Sequence, residues 1–124
     1  MLVTEYYSIP DDQYVEDPNC GARINSEAIR DAMQRVLDLS AGSFHVHLHE
    51  HSGKPGFGQT DQEEIPRIIE GLRIVGPKQP QGMLLFSADR AAAQVWLPGD
   101  SEPLNAAKIT VVGYPLTFLE GESI

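Results

Sequence analysis

The chain is short of the residues that most often announce a function. Its 124 residues include one cysteine, Cys20, which excludes an intrachain disulfide and fits a reducing compartment. Cys20 sits in a turn-like Glu-Asp-Pro-Asn-Cys-Gly-Ala stretch with no base marked as its partner, so a catalytic thiol is not expected. No apolar run approaches the roughly 20 residues needed to span a bilayer. The first residues, MLVTEYYSIPDD, lack the basic start and apolar stretch of a secretory signal, so the expected location is cytoplasmic. Positive charge is scarce too: nine Lys and Arg stand against 18 Asp and Glu, a formal net charge of −9. That balance argues against nucleic acid and against anionic membrane as partners, because both require basic patches. The length suits one domain over residues 1–124 and is too small for an eightfold βα barrel. Histidine is absent everywhere except positions 45, 47, 49 and 51.

What is present reads as an alternation of strands and helices. Residues 2–9, LVTEYYSI, are rich in β-formers and predict a strand ending at Pro10. The acidic, proline-containing stretch from Pro10 to Arg23 predicts a loop. Ser26 is placed to cap a helix, with Ile29, Met33, Val36 and Leu37 at helical spacing and Ser-Ala-Gly at 40–42 to stop it. The histidine segment follows as a strand. Residues 60–75 predict helix, with Thr60 and Glu63 in a capping-box pattern and Pro66 marking a kink or a division into two pieces. Three more strands are expected at 82–88, 91–97 and 108–114, the first two joined by a tight turn at Asp89-Arg90. The order predicts an α/β (α+β) fold, a single mixed β-sheet flanked by helices.

Side chains alternate across a strand, so His45, His47, His49 and His51 share one face while Phe44, Val46 and Leu48 share the other. The apolar set is expected in the core. A row of imidazoles can converge on one cation, and neutral imidazole is the commonest protein ligand of zinc. Asp61, returned by a loop containing Gly53, Pro55, Gly56 and Gly58, is placed to add an oxygen ligand. Three protein ligands plus water is the arrangement of a catalytic zinc. The plain alternative is a solvated strand face with four exposed histidines.

The segment SFHVHLHEHSGKPGFGQTD resembles the JAMM motif of JAB/MPN-domain metalloproteases, HxH followed by seven residues and SxxD, above all its prokaryotic branch. GARINSEAIRDAMQRV is similar to the helix before that motif, and GMLLFSADRAAAQVWLPG to the strand pair after it. The resemblance implies a JAB/MPN fold of the cytidine-deaminase-like type, here without its first strand and helix. It also implies one Zn2+ held by two histidines and the aspartate, a serine that polarises the scissile carbonyl, and a glutamate base from an earlier strand. The reaction implied is hydrolysis of peptide or isopeptide bonds, at the C-terminal tails of ubiquitin-like or sulfur-carrier proteins.

The chain departs from the pattern in three ways. Eleven residues separate His49 from Asp61 and nine separate His51 from it, where the motif has ten, so the metal set is drawn from His47, His49, His51 and Asp61 with His49 in either register. Of the two pairs, His47 with His49 is favoured. Gly58 stands in the place of the motif serine, leaving a backbone N–H or Thr60 as the only substitutes for its hydroxyl. The glutamate has no evident counterpart; Glu5 is a weak candidate base on what the resemblance makes the wrong strand. The expectation is therefore either a shortened protease or a metal-stabilised, non-catalytic protein-interaction module. Loss of the first strand would also expose a sheet edge, and such edges favour pairing with a second chain, a homodimer included. Trp96 is expected to pack on the sheet, Glu63, Glu64 and Glu70 to form a solvated helix face, and Lys54 to be an exposed loop lysine.

Overall fold

The computed structural model describes residues 1–18 and 21–124. Cys20, read above as a non-catalytic thiol, lies outside the described residues. A 3-10 turn (Asp11–Gln13) leads into strands β1 (Tyr14–Asp17) and β2 (Gly21–Ile24), then helix α1 (Ser26–Leu39), strand β3 (Ser43–Leu48) and helix α2 (Gln59–Val75). Five strands follow: β4 (Gln81–Phe86), β5 (Ala91–Trp96), β6 (Leu104–Asn105), β7 (Lys108–Val111) and β8 (Thr117–Glu120). This is a mixed helix-and-strand architecture, as the alternation predicts.

It is not one sheet. β1–β2 and β7–β8 form separate antiparallel hairpins, and the sheet that carries the histidines has the order β3-β4-β5-β6. Within that sheet β3 runs parallel to β4, and the later pairs are antiparallel, so the central sheet is mixed. The parallel pair needs a crossover, and α2 supplies it.

Two expectations fail at the N-terminal end. Residues 2–9 carry no regular structure, because β-forming side chains do not make a strand without a partner for the backbone, and no described strand pairs with them. Leu2 and Tyr6 stay exposed, while Tyr7 lies under the Arg35 guanidinium at 4.4 Å. The stretch expected as a loop instead holds the β1–β2 hairpin, in which Tyr14 faces Ile24 and Val15 faces Arg23. Its acids and prolines obscured a short run of β-formers.

Helix α1 runs as its periodicity predicts, one residue off in its cap: Asn25, not Ser26, is the N-cap, and its side chain accepts from the Ala28 N–H at 3.0 Å. Helix α2 is one 17-residue helix, with Pro66 inside it rather than dividing it. The missing N–H and the ring clash of an internal proline cost about 3 kcal/mol. Pro66 itself is exposed, and the opposite face of α2 places Ile65, Ile68, Ile69 and Leu72 in the core with Val36 and Met83. Burying four such side chains outweighs the loss at about 1.5–3 kcal/mol each.

All of that packing falls on one face of the central sheet. Register puts His45 beside Met83 and His47 beside Leu85, on the side where α2 lies. The histidine row thus faces the helix layer, and the apolar row expected in the core faces away: Val46 is 38% and Leu48 71% exposed. The cause is that both helices pack on the Met83 side, while Val46 and Leu48 stand on β3, the edge strand of the sheet. Phe44 alone of that row gains cover, lying over Gly82, where an added Cβ would sit 2.6 Å from the Phe44 ring. Trp96 is partly buried against the core, as expected, with the Arg73 guanidinium 5.8 Å from its ring centroid.

A buried glutamine joins these layers. Gln81 is fully inaccessible; its Oε1 accepts from the Ser43 N–H and hydroxyl, and its Nε2 donates to the carbonyls of Gly76 and Ala41. It ties the start of β3 to the ends of α1 and α2, and so fixes the strand that carries the histidines.

Candidate metal centre

Strand β3 stops at Leu48, but the histidine row continues in line beyond it. The His49 N–H donates to Phe86 O at 2.8 Å, and the Ala88 N–H donates to His51 O at 2.9 Å, so the chain stays zipped to β4 and its following turn. Successive imidazole centroids are 6.5, 4.6 and 5.1 Å apart from His45 to His51. His45, His47 and His49 are half-buried, and His51 is exposed.

The loop of residues 49–58 then carries the chain over to α2. It is anchored rather than loose: Pro55 is fully buried and Phe57 packs against the core. Gly58 caps α2, and Asp61 at the third helical position turns back so that its Oδ2 accepts from the Gly58 N–H at 3.1 Å. This replaces the Thr60–Glu63 box read from the sequence. Gly58 has no side chain to complete such a box, so only the reciprocal half forms, and it uses Asp61.

That same Asp61 Oδ2 lies 3.5 Å from His47 Nε2. One ligand atom each from His47, His49 and Asp61 falls within 4.8 Å of the others. Tetrahedral zinc with bonds near 2.0–2.1 Å sets its ligand atoms about 3.4 Å apart. The His47–Asp61 pair already has that spacing, and the group as a whole is open by no more than about 1.4 Å, within reach of ring rotation.

His49 supplies the sharpest observation. Its Nε2 is buried and has no hydrogen-bond partner among the described residues. A buried polar nitrogen without a partner costs about 1–3 kcal/mol, a cost that a bound metal ion would remove. Burial lowers the His49 pKa, the neighbouring His47 and His51 lower it further, and Asp61 and the Gly56 backbone oppose them. The neutral form is the one that binds metal.

Of the four candidate ligands, the structure brings together His47, His49 and Asp61; His51 stands outside that group, its Nδ1 3.1 Å from its neighbour's carbonyl, Ser52 O. Glu5 is exposed on the irregular N-terminal segment, and the group contains no glutamate. The Gly58 N–H, a candidate substitute for the motif serine, is already engaged by Asp61. Thr60 is half-buried in the first turn of α2. Glu63 and Glu70 are exposed, as expected, whereas Glu64 pairs with Arg23 and Arg67. Lys54 is exposed, its Nζ 3.4 Å from Ser123 Oγ.

His45 has a different fate from the other three. Burial, and after it His47, push its pKa down to about 4, with Asp61 opposing. In the unfolded chain it titrates near 6.5. The unfolded state therefore binds the proton first, so stability is fully present above about pH 6.5 and is lost as pH falls through that value toward 4. Metal-free protein should lose on the order of 2 kcal/mol between pH 7 and pH 4.5 by urea denaturation. His45→Gln should remove most of that slope; a variant as acid-sensitive as the parent would refute the assignment.

No family model, curated protein or solved structure matches this chain. Among the described residues, no helix is long and apolar enough to cross a membrane.

Proposed function

We propose that the chain is a JAB/MPN-like domain that binds one Zn2+ through His47, His49 and Asp61, with weak hydrolytic capacity or none. The observation that carries the reading is the grouping of one ligand atom each from His47, His49 and Asp61, at a histidine, His49, whose Nε2 is buried with no hydrogen-bond partner among the described residues. Two imidazoles and a carboxylate are borderline-soft and hard donors together, a set that suits zinc and leaves a fourth position for water. Bound zinc would supply Lewis acidity and a water acidified to near neutrality. The chain's own residues would orient that site: Asp61 is held by the Gly58 N–H, and the His49 backbone by Phe86 O.

Two features favour binding over turnover. No glutamate belongs to the metal group to move a proton, and Gly58 offers no hydroxyl, its N–H being taken by Asp61. The role proposed is thus a cytoplasmic, metal-stabilised interaction module, its partner the C-terminal tail of a ubiquitin-like or sulfur-carrier protein, as the resemblance implies. Titration of untagged, chelator-treated protein with zinc should saturate at one equivalent per chain and reverse on adding chelator. Failure to retain any zinc against buffer would overturn the reading.

A further inference from the structure

The loop after β3 is held from outside by a residue cluster in the β4–β5 turn. The Gly53 N–H donates to Asp89 Oδ1 at 2.7 Å, and the Ser87 hydroxyl donates to Gly53 O at 2.6 Å. Both polar groups of Gly53 are thereby fixed, at a residue whose φ of +97° other side chains rarely adopt. Ser87 Oγ in turn accepts from the Arg90 N–H, which sets the turn, and the Ala88 N–H secures His51 O. Asp89 is exposed, and among the described residues Gly53 is the only one outside its own turn to which its carboxylate is bonded. Gly53 lies in the loop that joins His49 to Asp61, two members of the metal group.

We propose that Asp89, assisted by Ser87, is a positioning residue for the metal centre: by clamping Gly53 it sets the path of the loop that joins His49 to Asp61, and so the placing of these two ligands relative to each other. This rests on the metal-binding reading above. The clamp is remote from the ligands, and it acts through the loop's conformation rather than by contact with them. Groups that orient metal-bound histidines typically change affinity by 10–100-fold, and one step further out the lower end is expected.

The test uses Co2+ as probe, because its visible absorption reports ligand geometry. Asp89→Ala should weaken Co2+ binding about tenfold and alter the band pattern, while the metal-free thermal midpoint stays within a few degrees of the parent. Asp89→Asn, which keeps Oδ1 as an acceptor, should restore both. Amide exchange at Gly53 in metal-free protein reads the clamp separately: protected in the parent, and freely exchanging in Asp89→Ala. Lost protection with unchanged Co2+ affinity and spectrum would overturn the inference and leave the metal site standing. A parent chain that binds no Co2+ would remove the metal reading and this inference with it, whatever the Gly53 amide does.

Discussion

His49→Ala should reduce zinc affinity by at least a hundredfold, whereas His51→Ala should leave it within about threefold. The difference follows from position. His49 presents a buried nitrogen with no partner, 4.6 Å in ring separation from His47 and inside the group with Asp61. His51 is exposed, leans on the neighbouring carbonyl of Ser52, and lies outside the group. Removing one of three protein ligands leaves a two-ligand site that cannot hold zinc against water. His49→Ala also removes the uncompensated nitrogen, so the metal-free variant need not be less stable than its parent. Asp61 offers a sharper variant. Its carboxylate both faces His47 and caps α2, so Asp61→Asn keeps an acceptor for Gly58 but loses the charge. Competition against a chromophoric chelator measures all three affinities, and equal losses in His49→Ala and His51→Ala would place the ion in the other histidine register.

The second large effect concerns turnover. The chain should hydrolyse isopeptide-linked or C-terminally extended ubiquitin-like substrates several orders of magnitude more slowly than a fully equipped zinc peptidase. General acid–base assistance is worth roughly 10²–10⁴-fold, and an oxyanion donor about 10²–10³. The metal group contains no glutamate for the first, and Gly58 has neither a hydroxyl nor a free N–H for the second. Gly58→Ser should add a measurable but small gain, since the hydroxyl enters at the N-cap beside Asp61. It should also strengthen the start of α2, where serine outranks glycine as a cap. Single-turnover assays with zinc-loaded protein measure both rates. Fast, chelator-sensitive cleavage by the unmodified chain would contradict this account and point to Glu5, to the exposed Glu50 in the loop after β3, or to a partner subunit as the source of the base.

The parts of the site legible in the sequence were those set by local spacing. Alternation put the four imidazoles on one face, and the glycine- and proline-bearing loop returned Asp61 to them. His47 with His49 was the favoured pair, but the sequence left His51 open, because the choice depends on where β3 ends and where α2 stands, both tertiary facts. Which side of the strand would be covered was read the wrong way round. Phe44, Val46 and Leu48 carry the stronger apolar signal, yet α1 and α2 pack on the Met83 side and leave Val46 and Leu48 exposed. The N-terminal strand failed for a related reason: propensity in residues 2–9 is real, but strand formation needs an edge to pair with. Gln81, Ser87 and Asp89 gave no sequence signal, since a single polar residue in or beside an apolar strand does not disclose its partners in advance.

The most direct test of the account is anomalous diffraction from crystals of the zinc-loaded chain. The account predicts one strong zinc peak about 2.0–2.2 Å from His47 Nε2, His49 Nε2 and an Asp61 carboxylate oxygen, with His51 away from the ion. A peak bound through His49 and His51, or no peak between β3 and the start of α2 at full zinc occupancy in solution, would contradict it.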